Sequence, residues 1–180
     1  MVKFNCRLQH FWAPILMWAA VILAFDQATK YWALETLSQM NSPRFPYGGF
    51  ELGTLSFWGE NSIQMSLVLA FNTGAAWSFL ENYPLTLILI RSFLIFSLFW
   101  WLGSSNPQRR WPLVMLIAGA CSNLADMIFR GAVVDMISFT FWGYMYPVFN
   151  VADIMICMGA LFFIGLGAKG RELDVSHKHS

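Results

Sequence analysis

Charge is scarce in this sequence. Only 12% of its 180 residues are Asp, Glu, Lys or Arg, against about 25% in ordinary soluble domains. With a formal net charge of +1 and no basic patch, there is no field to attract nucleic acid. Histidine is as rare: His10, His177 and His179 all lie near the ends, so metal sites of ordinary ligand spacing are excluded, and hydrolases built on them as well. Cys6, Cys121 and Cys157 are far apart and form no CxxC pair. The latter two fall in apolar runs and read as free, buried thiols. Internal repeats and low-complexity segments are absent.

What is abundant is apolar surface. Hydrophobic residues make up 57% of the chain and mean hydropathy is +0.53, which together indicate an integral membrane protein, one domain by length (residues 1–180). Lys3 and Arg7 precede an unbroken apolar run from Phe11 to Phe25. No small-residue cleavage site follows, so residues 11–33 are expected to be an uncleaved first span. Further spans are expected at 84–102, 111–129 and 151–168, each close to the length of about 20 residues that a bilayer requires. Between them, residues 35–60 are broken by Pro43, Pro46, Gly48, Gly49, Gly53 and Gly59 and read as an aqueous or interfacial loop. Ile63, Met65, Leu67 and Leu69 then alternate with Gln64, Ser66, Val68 and Ala70, the period of two of a strand. Residues 35–83 are therefore read as an insertion outside the bilayer.

The distribution of basic residues supports four spans with both termini on the cytoplasmic side. That topology collects Lys3, Arg7, Arg109, Arg110, Lys169, Arg171 and Lys178 on one side, leaves Lys30, Arg44 and Arg130 on the other, and puts Arg91 within a span. A fifth span through residues 63–80 would split these groups. Four of the five aspartates, Asp26, Asp126, Asp135 and Asp153, then fall near the outer ends of the spans, at one depth.

Acids at the edge of the bilayer are costly and mark function by default. Two neighbouring carboxyls do not ionise together cheaply, so one keeps a proton near neutral pH. Asp135 and Asp153 therefore suit the hydrolysis of an amide: one carboxylate draws a proton from water, while the protonated partner polarises the carbonyl and serves the leaving nitrogen. A helix N-terminus beside Asp153 favours its ionised form, making Asp153 the initial base and Asp135 the acid. The simpler alternative is structural, with Asp153 capping a helix and Asp126 pairing with Arg130 at i+4. Other functional classes stay open on the residues alone: a proton-coupled transporter, a non-catalytic assembly subunit, and a serine peptidase pairing Lys30 with Ser122 or Ser138.

Five blocks, DQATK, FNTGAAWS, GACSNLAD, GAVVDMI and FNVAD, resemble in order and spacing the lipoprotein signal peptidase family, signal peptidase type II, over residues 20–165. The resemblance implies an all-α membrane fold, a four-helix bundle of the bacterial inner membrane with a small periplasmic β-cradle, and an active site near the periplasmic face. It implies an aspartyl endopeptidase without cofactor or metal. Its substrates are diacylglyceryl-modified prolipoproteins, cut before the lipidated cysteine, and its other partner is membrane lipid; a monomer is expected. The catalytic pair falls on Asp135 and Asp153. Asp26 and Lys30 are similar to the acid and base that brace the first helix, Asn72 to a loop asparagine contacting substrate backbone, Asn123 and Asp126 to polar supports, and Asn150 to the residue orienting the second aspartate. The chain departs from the pattern at Ser122, where Gly is usual, and at Met127, where Arg is usual; Arg130, one turn later, is the candidate substitute. Met136 and Trp77 stand where Phe is usual. A diacylated substrate enters sideways from the bilayer, and Trp77, Phe79, Trp142 and Tyr144 are candidate lining for a lid there.

Overall fold

The computed structural model describes residues 2–40, 46–55, 63–74 and 83–178, with backbone alone at 2–11, 55 and 167–178. The fold is mostly helical: α1 (Val2–Thr36), running into a 3-10 turn (Leu37–Gln39), α2 (Pro84–Ser104), α3 (Pro107–Arg130) and α4 (Val151–Lys178). Pro84 and Pro107 open α2 and α3, where a missing N–H costs no intrahelical bond. Among the described residues three helices are long and apolar enough to cross a bilayer, Trp12–Gln39, Pro84–Ser104 and Pro107–Arg130, while the apolar part of α4, Val151–Leu166, is shorter.

α3 is the interior helix and packs against each of the other three. Over its apolar window 56% is buried, against 11% for α1 and α2, so the outer helices turn most of their apolar surface to the surroundings. Contact with α4 is close because glycine permits it. A Cβ on Gly119 would lie 2.6 Å from the Ala152 carbonyl, and one on Gly159 would lie 2.7 Å from that of Pro112. Small residues of this kind let membrane helices approach backbone to backbone. Ile15, Leu102, Leu113, Val114 and Ile117 form an apolar core toward the α2–α3 turn, leaving the other end of the bundle for polar groups.

That end is closed by a four-stranded antiparallel sheet in the order β1 (Gly49–Leu55), β2 (Ile63–Asn72), β3 (Val133–Phe141), β4 (Tyr144–Met145). β2 is the strand that the alternation at residues 63–70 anticipates. β3 is one the sequence reading did not foresee. It starts two residues after Gly131, which ends α3 in the left-handed region (φ 78°), a conformation glycine adopts without penalty. Alternate β3 residues then face opposite ways. Val134 and Met136 pack with Ala33, Leu37 and Leu69 against α1, while Val133 packs with Leu87 and Met127 on the face that also carries Asp135. The segment before α4 is pinned to β3 by hydrogen bonds between Phe149 and Ile137 in both directions, 2.8 and 3.0 Å. Trp77 and Phe79 lie outside the described residues.

Candidate active site

Asp135 sits in β3 opposite Ala70, two residues from the end of β2, where Asn72 pairs with Val133. This register puts Asn72 diagonally across from Asp135, within side-chain reach, and its Nδ2 donates to Asp135 Oδ2 at 3.3 Å. The other oxygen, Oδ1, accepts Asn150 Nδ2 at 2.6 Å. Asp153 lies in the first turn of α4. Its Oδ2 accepts the Asn150 N–H at 3.2 Å, and the Asp153 N–H returns a bond to Asn150 Oδ1 at 2.9 Å. That reciprocal pair is a capping box. The structural alternative does not exclude the functional one: Asp153 caps α4 with one oxygen, while Oδ1 accepts Asn123 Nδ2 at 2.8 Å. All four oxygens of the pair receive an N–H, each from an amide.

Behind the amides stands a buried ionic cluster. Lys30 Nζ, with no exposed surface, contacts Asp26 at 2.7 Å and Asp126 at 2.8 Å and donates to Asn123 Oδ1 at 2.8 Å. Arg130 pairs with Asp126 and donates to Gln27 Oε1 at 2.8 Å. Two acids and two bases balance, as a buried ion pair requires if it is not to cost more than it returns. The cluster also sets backbone. Asp26 Oδ1 accepts the Ala152 N–H at 2.7 Å, filling another orphan donor at the start of α4, and Asp126 Oδ2 accepts the Val134 N–H at 3.2 Å. α1, α3, β3 and α4 therefore meet in one hydrogen-bonded unit, and all four aspartates singled out in the sequence belong to it.

A cavity of about 660 Å³ opens over the pair, lined by Asp135, Asp153, Asn72, Asn123, Arg91, Tyr146, Phe149 and the α4 residues Ile154, Cys157, Met158 and Leu161, among others. Asp26, Lys30, Asp126, Asn150 and Arg130 do not line it and act from behind. Arg130 is held by Asp126 and Gln27 and is not among the cavity residues. Met127 is buried against Leu87 and Val133. Trp142 and Tyr144 are exposed at the β3–β4 turn and are not among the cavity residues; Tyr146 and Phe149 take that place. Cys157, expected to be buried, is exposed and faces the cavity, because an apolar run does not reveal which helix face meets open space.

A serine–lysine pair is disfavoured by this geometry. Lys30 is fully engaged, Ser122 is buried with Oγ donating to Asp26 at 2.7 Å, and Ser138 lies on the β3 face opposite Asp135. Among the described residues no three His, Cys, Asp or Glu side chains gather into a metal-binding group. Burial, and next the Asp153 charge, push the Asp135 carboxyl up to about 7, against the opposing hydrogen bonds of Asn72 and Asn150 and the Lys30 charge. One proton is thereby available near neutrality.

Sequence reasoning missed two residues. Gln27, inside the DQATK block, donates through Nε2 to Ser122 Oγ at 2.9 Å and Asp126 Oδ1 at 3.0 Å, so the serine at a position usually glycine is absorbed into the network. Arg91 lines the cavity; its signal was a lone charge in an apolar helix.

A family model described as signal peptidase (SPase) II matches residues 18–167. A lipoprotein signal peptidase of Janthinobacterium sp. (strain Marseille) is 34% identical over 161 residues, covering 84% of this chain and 86% of that protein. Those of Chlamydia muridarum and Chlamydia pneumoniae are 37% and 40% identical over 112 and 111 residues. The chain spans just under two thirds of the length of these two, 66% and 65%. A solved bacterial membrane enzyme superposes with a TM-score of 0.69 at 25% identity, covering 87% of this chain and 88% of that one.

Proposed function

The chain belongs to the signal peptidase II family, and from that premise we propose that it is an aspartyl endopeptidase removing signal peptides from diacylglyceryl-modified prolipoproteins. The observation that carries this reading is the pairing of Asp135 and Asp153 at one cavity, each carboxylate oxygen held by an amide N–H and one proton available near neutral pH.

Asp153, with Asn123 and the Asn150 N–H on its oxygens, serves as the carboxylate that takes a proton from the attacking water. Asp135 in its protonated form donates to the scissile carbonyl oxygen and stabilises the charge that develops there. As the tetrahedral intermediate collapses, a proton passes to the departing nitrogen and the C–N bond breaks, leaving a new carboxyl and the free amine of the lipidated cysteine. The pair titrates as a unit. Asn72 holds Asp135 from the β2 side, and the loop after it is suited to contact substrate backbone. The apolar α4 wall of Met158 and Leu161 suits the acyl chains of a substrate arriving from the bilayer.

The proposal extends to the setting. α4 is the fourth span, both termini are cytoplasmic, the sheet and cavity lie at the periplasmic face of the inner membrane, and the enzyme works as a monomer without cofactor. The test is purified full-length protein in detergent with a diacylglyceryl-modified prolipoprotein, the products read by mass spectrometry. Cleavage immediately before the modified cysteine, persisting in chelator, is expected. An intact precursor, or cleavage elsewhere, contradicts the proposal.

A further inference from the structure

Arg91 is the single charged residue of α2. It lies two turns in from Pro84, roughly 10 Å along the axis at ordinary helical rise. A cation at such a place is expensive and is kept for a purpose. One part of that purpose is visible. Nη2 donates to the Gly74 carbonyl at 3.1 Å, the Gly74 N–H donates to Asn72 Oδ1 at 3.0 Å, and Asn72 reaches Asp135. Arg91 thus holds the loop that presents Asn72 to the acid.

The second part is unfilled. Nη1 is buried and has no hydrogen-bond partner among the described residues, although an unpaired buried donor on a charged group is strongly disfavoured. The side chain lines the same cavity as Asp135 and Asp153 and is the one cation among the described residues that line it. Neither neighbour on α3 does this work: Met127 is apolar and packed on Leu87, one turn before Arg91, and the Arg130 guanidinium is tied to Asp126 and Gln27. A ligand entering the cavity can supply the acceptor that the described residues do not. With two acids already in the cavity, a neutral acceptor fits better than an anion, and the neutral acceptors of a lipidated peptide are carbonyl oxygens.

We propose that Arg91 is a substrate-binding residue whose free Nη1 donates to a carbonyl oxygen of the bound substrate, while Nη2 fixes the loop carrying Asn72. This rests on the peptidase reading above. The carbonyl belongs either to the peptide next to the scissile bond or to an ester of the diacylglyceryl group, and the two sources separate experimentally.

Full-length protein, Arg91→Met and Arg91→Lys are assayed in detergent on four substrates: the diester-lipidated precursor, its dialkyl ether counterpart, and two precursors with a thioamide replacing the carbonyl on one or the other side of the scissile bond. On the diester, Arg91→Met should lower kcat/KM by about 10- to 100-fold, the loss of a charge-assisted hydrogen bond, and Arg91→Lys by less. The defect should shrink toward nothing on the ether if the ester is the partner, or on one thioamide if the peptide is. Should Arg91→Met not fold, the wild-type protein still decides: one of the modified substrates must be cleaved less well by a similar factor. Wild-type kcat/KM in Arg91→Met overturns the proposal. So does a defect of equal size on every substrate, which would assign Arg91 to the Gly74 loop alone. A wild-type protein that cleaves nothing refutes the peptidase reading and this inference with it; active wild type without coupling refutes this inference only.

Discussion

Asn150 serves both acids with one side chain: Nδ2 donates to Asp135 and Oδ1 caps the Asp153 N–H, while its own N–H donates to Asp153. Such sharing fixes the two carboxyls relative to one another without placing a cation between them, so their mutual repulsion survives and supports proton retention. Asp135, at about 7 against an ordinary 3.8, binds its proton more tightly in the folded protein than in the unfolded chain. The sign follows from that. Its contribution to stability is complete below about pH 4 and is lost as pH rises through about 7. The wild-type melting temperature in detergent should therefore fall across that window relative to Asp135→Asn, in which the group no longer titrates; parallel curves would contradict the assignment. kcat/KM should decline above about pH 7 as the same proton leaves. Both acids and the asparagines that hold them stood in a sequence block, yet spacing left Asp153 as cap or catalyst. The capping box leaves its other oxygen to Asn123 at the cavity, so one residue can fill both roles, an outcome no pattern of residue types distinguishes.

At the scale of elements, the start of α4 is held by contacts from three directions, and the tightest is Gly119 under Ala152. Gly119→Val should force α3 and α4 apart, since even a Cβ there would meet the Ala152 carbonyl at 2.6 Å. Asp153 lies one residue on, so activity should drop at least tenfold, with lowered thermal stability. Gly103→Ala, with nothing within 4 Å of the added atom, should leave both unchanged. Equal behaviour of the two variants would remove the close-packing argument. β2 was legible because one face is polar or small and the other apolar. β3 was not: Val133 to Met136 are all buried, and a strand covered on both faces loses its alternation. Cys157 was misread for a related reason, since hydropathy is the same for a face turned inward and one turned to lipid or a cavity.

For the whole molecule, three helices among the described residues satisfy the length of a span, and α4 would complete the count only with its less apolar second half. The four-span topology predicts that a fluorescent protein fused after Ser180 fluoresces in intact cells, as a cytoplasmic reporter does, while alkaline phosphatase inserted at the β3–β4 turn is active outside. A fusion after Ser180 that stays dark while the phosphatase is active would mean α4 does not cross; reversal of both reporters would mean the opposite orientation. The bundle keeps an apolar core at one end and the aspartate cluster at the other, under the sheet. Everything in this arrangement converges on Asp135 and Asp153. The most direct measurement is kcat on a diacylglyceryl-modified prolipoprotein for Asp135→Asn and Asp153→Asn, each with its melting temperature recorded. The aspartyl mechanism predicts a loss of at least about a thousandfold in both, with folded protein retained; turnover near wild type in either one would contradict it.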